Sequence, residues 1–100
     1  MADRLFRATL DVIPTEQGGR KTPFLAGYRP QFYVAGSEHC TSFMIQKIEG
    51  ADKMVPGESG TVEAFLLFPD ALGVPVTAGT AFELREGHTV IARGVIQNFV

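Results

Sequence analysis

The sequence predicts an all-β chain, a small closed antiparallel barrel of six strands. Three observations carry that expectation. Apolar and polar residues alternate through several short runs, which is the period of a half-buried strand. Eleven glycines and six prolines punctuate the chain at short intervals, the rhythm of strands joined by turns. No long amphipathic helical pattern competes, and closing the sheet removes the exposed edges that make isolated β domains aggregate.

The elements follow in order. Leu5 to Ile13 alternates, with Phe6, Ala8, Leu10 and Val12 on one face and Arg7, Thr9 and Asp11 on the other. Pro14 to Pro23 holds two adjacent glycines and several polar residues, and reads as a long loop. Gln31 to Ala35 is a short aromatic strand, with Pro30 tolerated at its start. Thr41 to Glu49 is the next strand, with Phe43 and Ile45 on one face and Met44 and Ile48 on the other. Pro56-Gly57 marks a turn. Thr61 to Phe68 is nearly all apolar, and the bounding Gly60 and Pro69 favour a strand over a short helix. Alternation puts Val62, Ala64, Leu66 and Phe68 on one side, leaving Phe65 and Leu67 on the other. Those two are either exposed or covered by Leu72, Val74 and Val76 of the 70–80 loop. Ala81 to Glu86 and Val90 to Val100 flank Gly87-His88, which suits a tight hairpin turn.

One hundred residues make a single domain, 1–100, and 45% hydrophobic with 20% charged residues describes a folded chain with a core. The formal charge of −2, with nine Lys and Arg, argues against broad nucleic-acid affinity and leaves room only for a local patch such as Arg20, Lys21 and Arg29. A single cysteine, Cys40, excludes an intrachain disulfide and suits a reducing cytoplasm. The charged start, Met1 to Arg7, does not resemble a signal peptide and reads as the beginning of a domain. No apolar run approaches the roughly 20 residues of a membrane helix.

Few residues suggest chemistry. Gly18-Gly19-Arg20-Lys21-Thr22 is not a phosphate loop of the nucleotide-binding kind. That loop needs a glycine where Pro14 stands and a Gly-Lys pair that Arg20 interrupts here, followed by a helix. The two glycines beside two cations still suit a backbone phosphate or an acidic partner. His39, Cys40 and His88 lack the spacing of a zinc site, and neither histidine has the context of a catalytic base. No catalytic residue, metal or cofactor is expected. Arg29, Gln31 and Tyr33, spaced by two, share one strand face and offer groups that bond phosphate and ribose.

The run Gly18 to Tyr33 (Gly-Gly-Arg-Lys-Thr-Pro-Phe-Leu-Ala-Gly-Tyr-Arg-Pro-Gln-Phe-Tyr) resembles the signature of the third, C-terminal domain of elongation factor Tu. Met54-Val55-Pro56-Gly57, Phe68-Pro69-Asp70-Ala71, Phe82 to Gly87 and Gly94-Val95-Ile96 are similar to further motifs of that family, in the same order. The resemblance implies a six-stranded Greek-key barrel. It also implies a domain that contacts the T stem of aminoacyl-tRNA and packs against a GTPase domain. These 100 residues hold no GTPase domain, so no GTPase activity is expected of them.

Carried over by motif, the RNA-facing positions are Arg20, Lys21, Arg29, Gln31, Glu86 and Gly87, with Lys21 where the family has His. Ala35 to Cys40 departs from the family's Arg-Thr-Thr-Asp-Val-Thr, and His88-Thr89-Val90 from its Gly-Arg-Thr, so part of an RNA face is eroded. Two functional readings result. One is a translation-related module that binds a tRNA-like stem weakly through the Gly-Gly-Arg-Lys loop and the Arg-Pro-Gln-Phe-Tyr strand. The other is a protein-interaction barrel, docking on a GTPase-like or other protein through Tyr33, Phe65, Leu67 and Ala71.

Overall fold

The computed structural model describes residues 4–37 and 39–100. Met1 to Asp3 of the charged start and Glu38 of the departing 35–40 segment lie outside the described residues. The chain forms β1 (Phe6–Val12), β2 (Phe24–Leu25), β3 (Gln31–Tyr33), β4 (Thr41–Ile48), β5 (Lys53–Met54), β6 (Ser59–Leu67), β7 (Ala81–Glu86) and β8 (Thr89–Phe99). Six of these close a barrel in the order β1-β6-β4-β3-β7-β8, every pair antiparallel. β3, β4 and β6 are consecutive neighbours, and β7 returns across a long connection to lie beside β3, which is a Greek key. All six expected strands are present, with ends shifted by one or two residues.

Alternation sorts the side chains as the sequence predicts for most strands. Phe6, Ala8, Leu10 and Val12 of β1 point inward, as do Val62, Ala64 and Leu66 of β6. Phe6, Phe32, Phe43 and Phe82 form the centre, with Phe32–Phe82 ring centroids 4.9 Å apart and Phe43–Phe82 5.4 Å apart. Each such ring contributes about 1.5–3 kcal/mol by leaving water. Gly94 of β8 makes room for this packing. A Cβ there would lie 2.4 Å from the Thr9 carbonyl oxygen and 2.6 Å from the Phe82 ring.

Two expectations are corrected, and the open choice at Phe65 and Leu67 falls between its two alternatives. Ile48 shares the inner face with Phe43 and Ile45, because a bulge between Ile45 and Lys47 inserts a residue and reverses the alternation. Phe68 does not continue the inner face of β6. It takes a left-handed conformation (φ 53°), ahead of the Pro69–Leu72 3-10 turn, and is 78% exposed. Leu72 is buried in the core, and Val74 and Val76 pack against it. Their segment crosses the barrel end where Phe6, Leu66 and Phe99 meet. Phe65 and Leu67 are half-buried on the outer wall, paired across β4 with Met44 and Ser42.

Beyond the expected strands, β2 and β5 pair as a two-residue ribbon that adds Phe24 and Met54 to the core. No helix among the described residues is long and apolar enough to cross a membrane.

Candidate nucleic-acid interface

The Pro14–Pro30 segment lies at the barrel end formed by the close of β1 and the β7–β8 turn, joined to it where the Ile13 amide bonds the Ile91 carbonyl. Thr15–Gln17 is one turn of 3-10 helix, ended by Gly18 at φ 95°, a conformation that favours glycine. Gly19 is required for a different reason: a Cβ would sit 2.2 Å from the Ile13 carbonyl oxygen. The Gly18 amide bonds the Thr15 carbonyl and the Gly19 amide the Pro14 carbonyl, at 3.0 and 3.1 Å. These amides are therefore occupied within the loop.

Arg20 leaves this turn toward the hairpin. Its Nη1 donates to Glu86 Oε2 at 2.7 Å and its Nη2 to Thr22 Oγ1 at 2.5 Å. Its guanidinium carbon lies 4.2 Å from the centre of the Tyr28 ring, within cation–π range. The Tyr28 hydroxyl donates to the same Glu86 oxygen. Burial first, then the hydrogen bond to Glu86, pushes the Tyr28 pKa well above its ordinary value, against the opposing pull of Arg20. The Arg20 side chain is only 18% exposed, and its Nε is buried with no partner among the described residues. Arg20 and Glu86, expected as two RNA contacts, thus meet each other.

The other expected residues divide. Lys21 and Arg29 are exposed, and neither has a hydrogen bond or ion pair among the described residues. Gly87, at φ 61°, forms with His88 the two-residue turn between Glu86 and Thr89. Gln31 is exposed at the start of β3, paired with Arg85 on one side and Ser42 on the other. Its side chain lines a shallow depression of about 340 Å³ with Cys40, Thr41, Ser42, Phe68 and Ala71. The structure therefore sets Gln31 beside Ala71, which the sequence reading assigned to a protein interface.

Tyr33 is half-buried, with the Arg85 guanidinium 4.0 Å from its ring centre. Arg85 in turn donates twice to Glu83 Oε1, at 3.0 and 2.6 Å, and that hydrogen bonding pushes its pKa further up. Two residues escaped the sequence reading. Tyr28 carried no pattern of its own beyond its place in the signature run. Phe68 was assigned inward, and Pro69 after it was the available sign that the strand ends there.

A family model, elongation factor Tu C-terminal domain, matches residues 2–100, nearly the whole chain. The match agrees with the closed all-β barrel of six antiparallel strands. The chain belongs to the elongation factor Tu C-terminal domain family, a β-barrel domain of a translation factor.

Proposed function

We propose that this domain binds a tRNA or similarly folded RNA stem, weakly, through the loop-and-hairpin end of the barrel. The observation that carries the reading is the pair Lys21 and Arg29. Both are solvent-exposed cations without an internal partner among the described residues, and both lie on the segment tied to the Glu86-Gly87 turn. Free cations bind phosphate by releasing counterions, whereas cations already paired with carboxylates contribute little. Gln31 adds an amide that can bond ribose or phosphate oxygens. Two free cations support only modest affinity, with a salt slope on the order of −2. The domain supplies contact, not catalysis. A translation-related role places it in the cytoplasm, where the exposed Cys40 stays reduced.

Titration of tRNA at low salt tests the reading. Wild type gives a saturable signal that salt weakens, and the double variant Lys21→Glu/Arg29→Glu loses it while keeping its circular dichroism spectrum. A wild type with no signal at low salt means that the signature residues serve the fold alone.

A second reading, docking on a GTPase-like protein, is favoured by Phe68. A phenylalanine held 78% exposed in a left-handed conformation is costly unless its surface has a use. The Thr41 hydroxyl, 3.3 Å from the Phe68 carbonyl, and the Ala71 amide, at 3.1 Å, hold that geometry. The dock then centres on Phe68, Ala71 and Gln31, with Phe65 and Leu67 along the adjoining wall. Tyr33 is partly covered by Arg85 and contributes less. Phe68→Ser abolishes binding to a translational GTPase domain added in trans under this reading, and unchanged binding rejects it.

A further inference from the structure

We infer that Arg20, Tyr28 and Glu86 form a latch that holds the 18–29 loop in its binding shape, with Arg20 and Glu86 as positioning residues and Lys21 and Arg29 as the groups that meet phosphate. What the loop meets rests on the RNA reading above; the latch itself rests on geometry.

Three side chains touch one another pairwise. Glu86 Oε2 accepts from both Arg20 Nη1 and the Tyr28 hydroxyl, while the Arg20 guanidinium lies over the Tyr28 ring. Positions 20 and 28 stand on the two arms of the loop, and position 86 stands on the β7–β8 turn. One carboxylate oxygen therefore ties both arms to the barrel. The neighbouring backbone completes the frame. Thr15 Oγ1 donates to the Arg20 carbonyl, the Gly27 amide bonds the Ile45 carbonyl at 2.7 Å, and the Tyr28 amide bonds the Leu25 carbonyl. Lys21 and Arg29 each follow a latched residue directly in the chain, so the latch sets where their side chains start.

The same contacts withdraw Arg20 from a phosphate. Its charge is already matched at 2.7 Å by a carboxylate, and an approaching phosphate meets that negative charge first. Its mostly buried side chain would have to leave the Tyr28 ring and Glu86 together to reach outward. A cation paired in this way releases few counterions when RNA binds, so it adds little to the salt dependence. Glu86, an anion in a surface that binds RNA, is explained by the latch rather than by contact with a phosphate.

The salt slope separates positioning from contact. With tRNA as probe, Lys21→Gln and Arg29→Gln each reduce the slope of log K against log salt by about one. Tyr28→Phe keeps every charge and loses only the hydroxyl. It weakens binding about two- to tenfold with the slope unchanged. Arg20→Gln likewise weakens binding without flattening the slope. A slope reduced by about one in Arg20→Gln overturns the assignment and makes Arg20 a phosphate ligand. Hydrogen exchange on the free protein tests the latch without RNA. In Tyr28→Phe and Glu86→Gln the amides of Gly18, Gly19, Gly27 and Tyr28 exchange faster, while the barrel amides do not. Unchanged exchange in both variants overturns the latch, even if RNA binding stands. A wild type that binds no RNA overturns the recognition role, and exchange still decides the latch.

Discussion

The inside of the barrel and the loop at its end are both built from residues far apart in sequence, yet they are held in opposite ways. The interior is a cluster of four phenylalanines and their aliphatic neighbours, and many side chains share the burden. The 18–29 loop adds Phe24 to that core, but its cationic arm is fixed by one carboxylate oxygen, one guanidinium and one phenol. Dispersed apolar contact gives the domain its stability. A few directional polar contacts give the loop its shape, and their loss should disturb binding long before folding.

Variants can break or sharpen that contrast. The largest effect is expected from Phe43→Ala, which empties the centre of the interior. Removing a buried phenylalanine costs about 3–5 kcal/mol, a large part of the total for a domain of this size, as urea unfolding will show. Gly94→Ala follows, because its Cβ would press on the Thr9 backbone and the Phe82 ring. Overpacking of this kind costs about 1–3 kcal/mol and lowers the melting temperature by several degrees. Gly19→Ala is the matched test in the loop. The clash with the Ile13 carbonyl is as tight, but the loop can shift, so NMR shifts around residues 15–22 should move while the melting temperature falls less than for Gly94→Ala.

Tyr28→Phe should have a smaller effect on stability, and one that depends on pH. The folded-state pKa of Tyr28 is raised above its unfolded value of 10.0, so its contribution is complete below that value. As pH rises past it, the unfolded chain gives up the proton more readily than the folded one, and stability falls. Urea midpoints of wild type should hold level up to about pH 10 and decline above it more steeply than those of Tyr28→Phe. The smallest effect belongs to Arg7→Gln. Its contacts to Glu49 at 2.9 Å and Glu63 at 3.4 Å lie on the surface, where such pairs are worth roughly 0–1 kcal/mol.

The contrast also explains what the sequence made legible. A strand reports on which side each residue lies through its period of two, so β1 and most of β6 could be sorted residue by residue. The period misled at two places where the backbone leaves it: the bulge after Ile45, which turns Ile48 inward, and the left-handed Phe68. The β2–β5 ribbon is too short for any period to register. Arg20 and Glu86 were both singled out by resemblance, but their contact spans 66 positions of chain and no local pattern announces it. The loop glycines were legible as glycines, but not as donors already occupied by the carbonyls of Pro14 and Thr15.

NMR chemical-shift mapping of the labelled domain titrated with tRNA at low salt asks directly which region of the molecule meets a partner. RNA recognition by the latched loop predicts shifts gathered at residues 18–29 and 86–89, with Lys21 and Arg29 among the largest and the wall around Phe65, Leu67 and Phe68 quiet. Shifts centred on Phe68 and Ala71, or none anywhere, would contradict it.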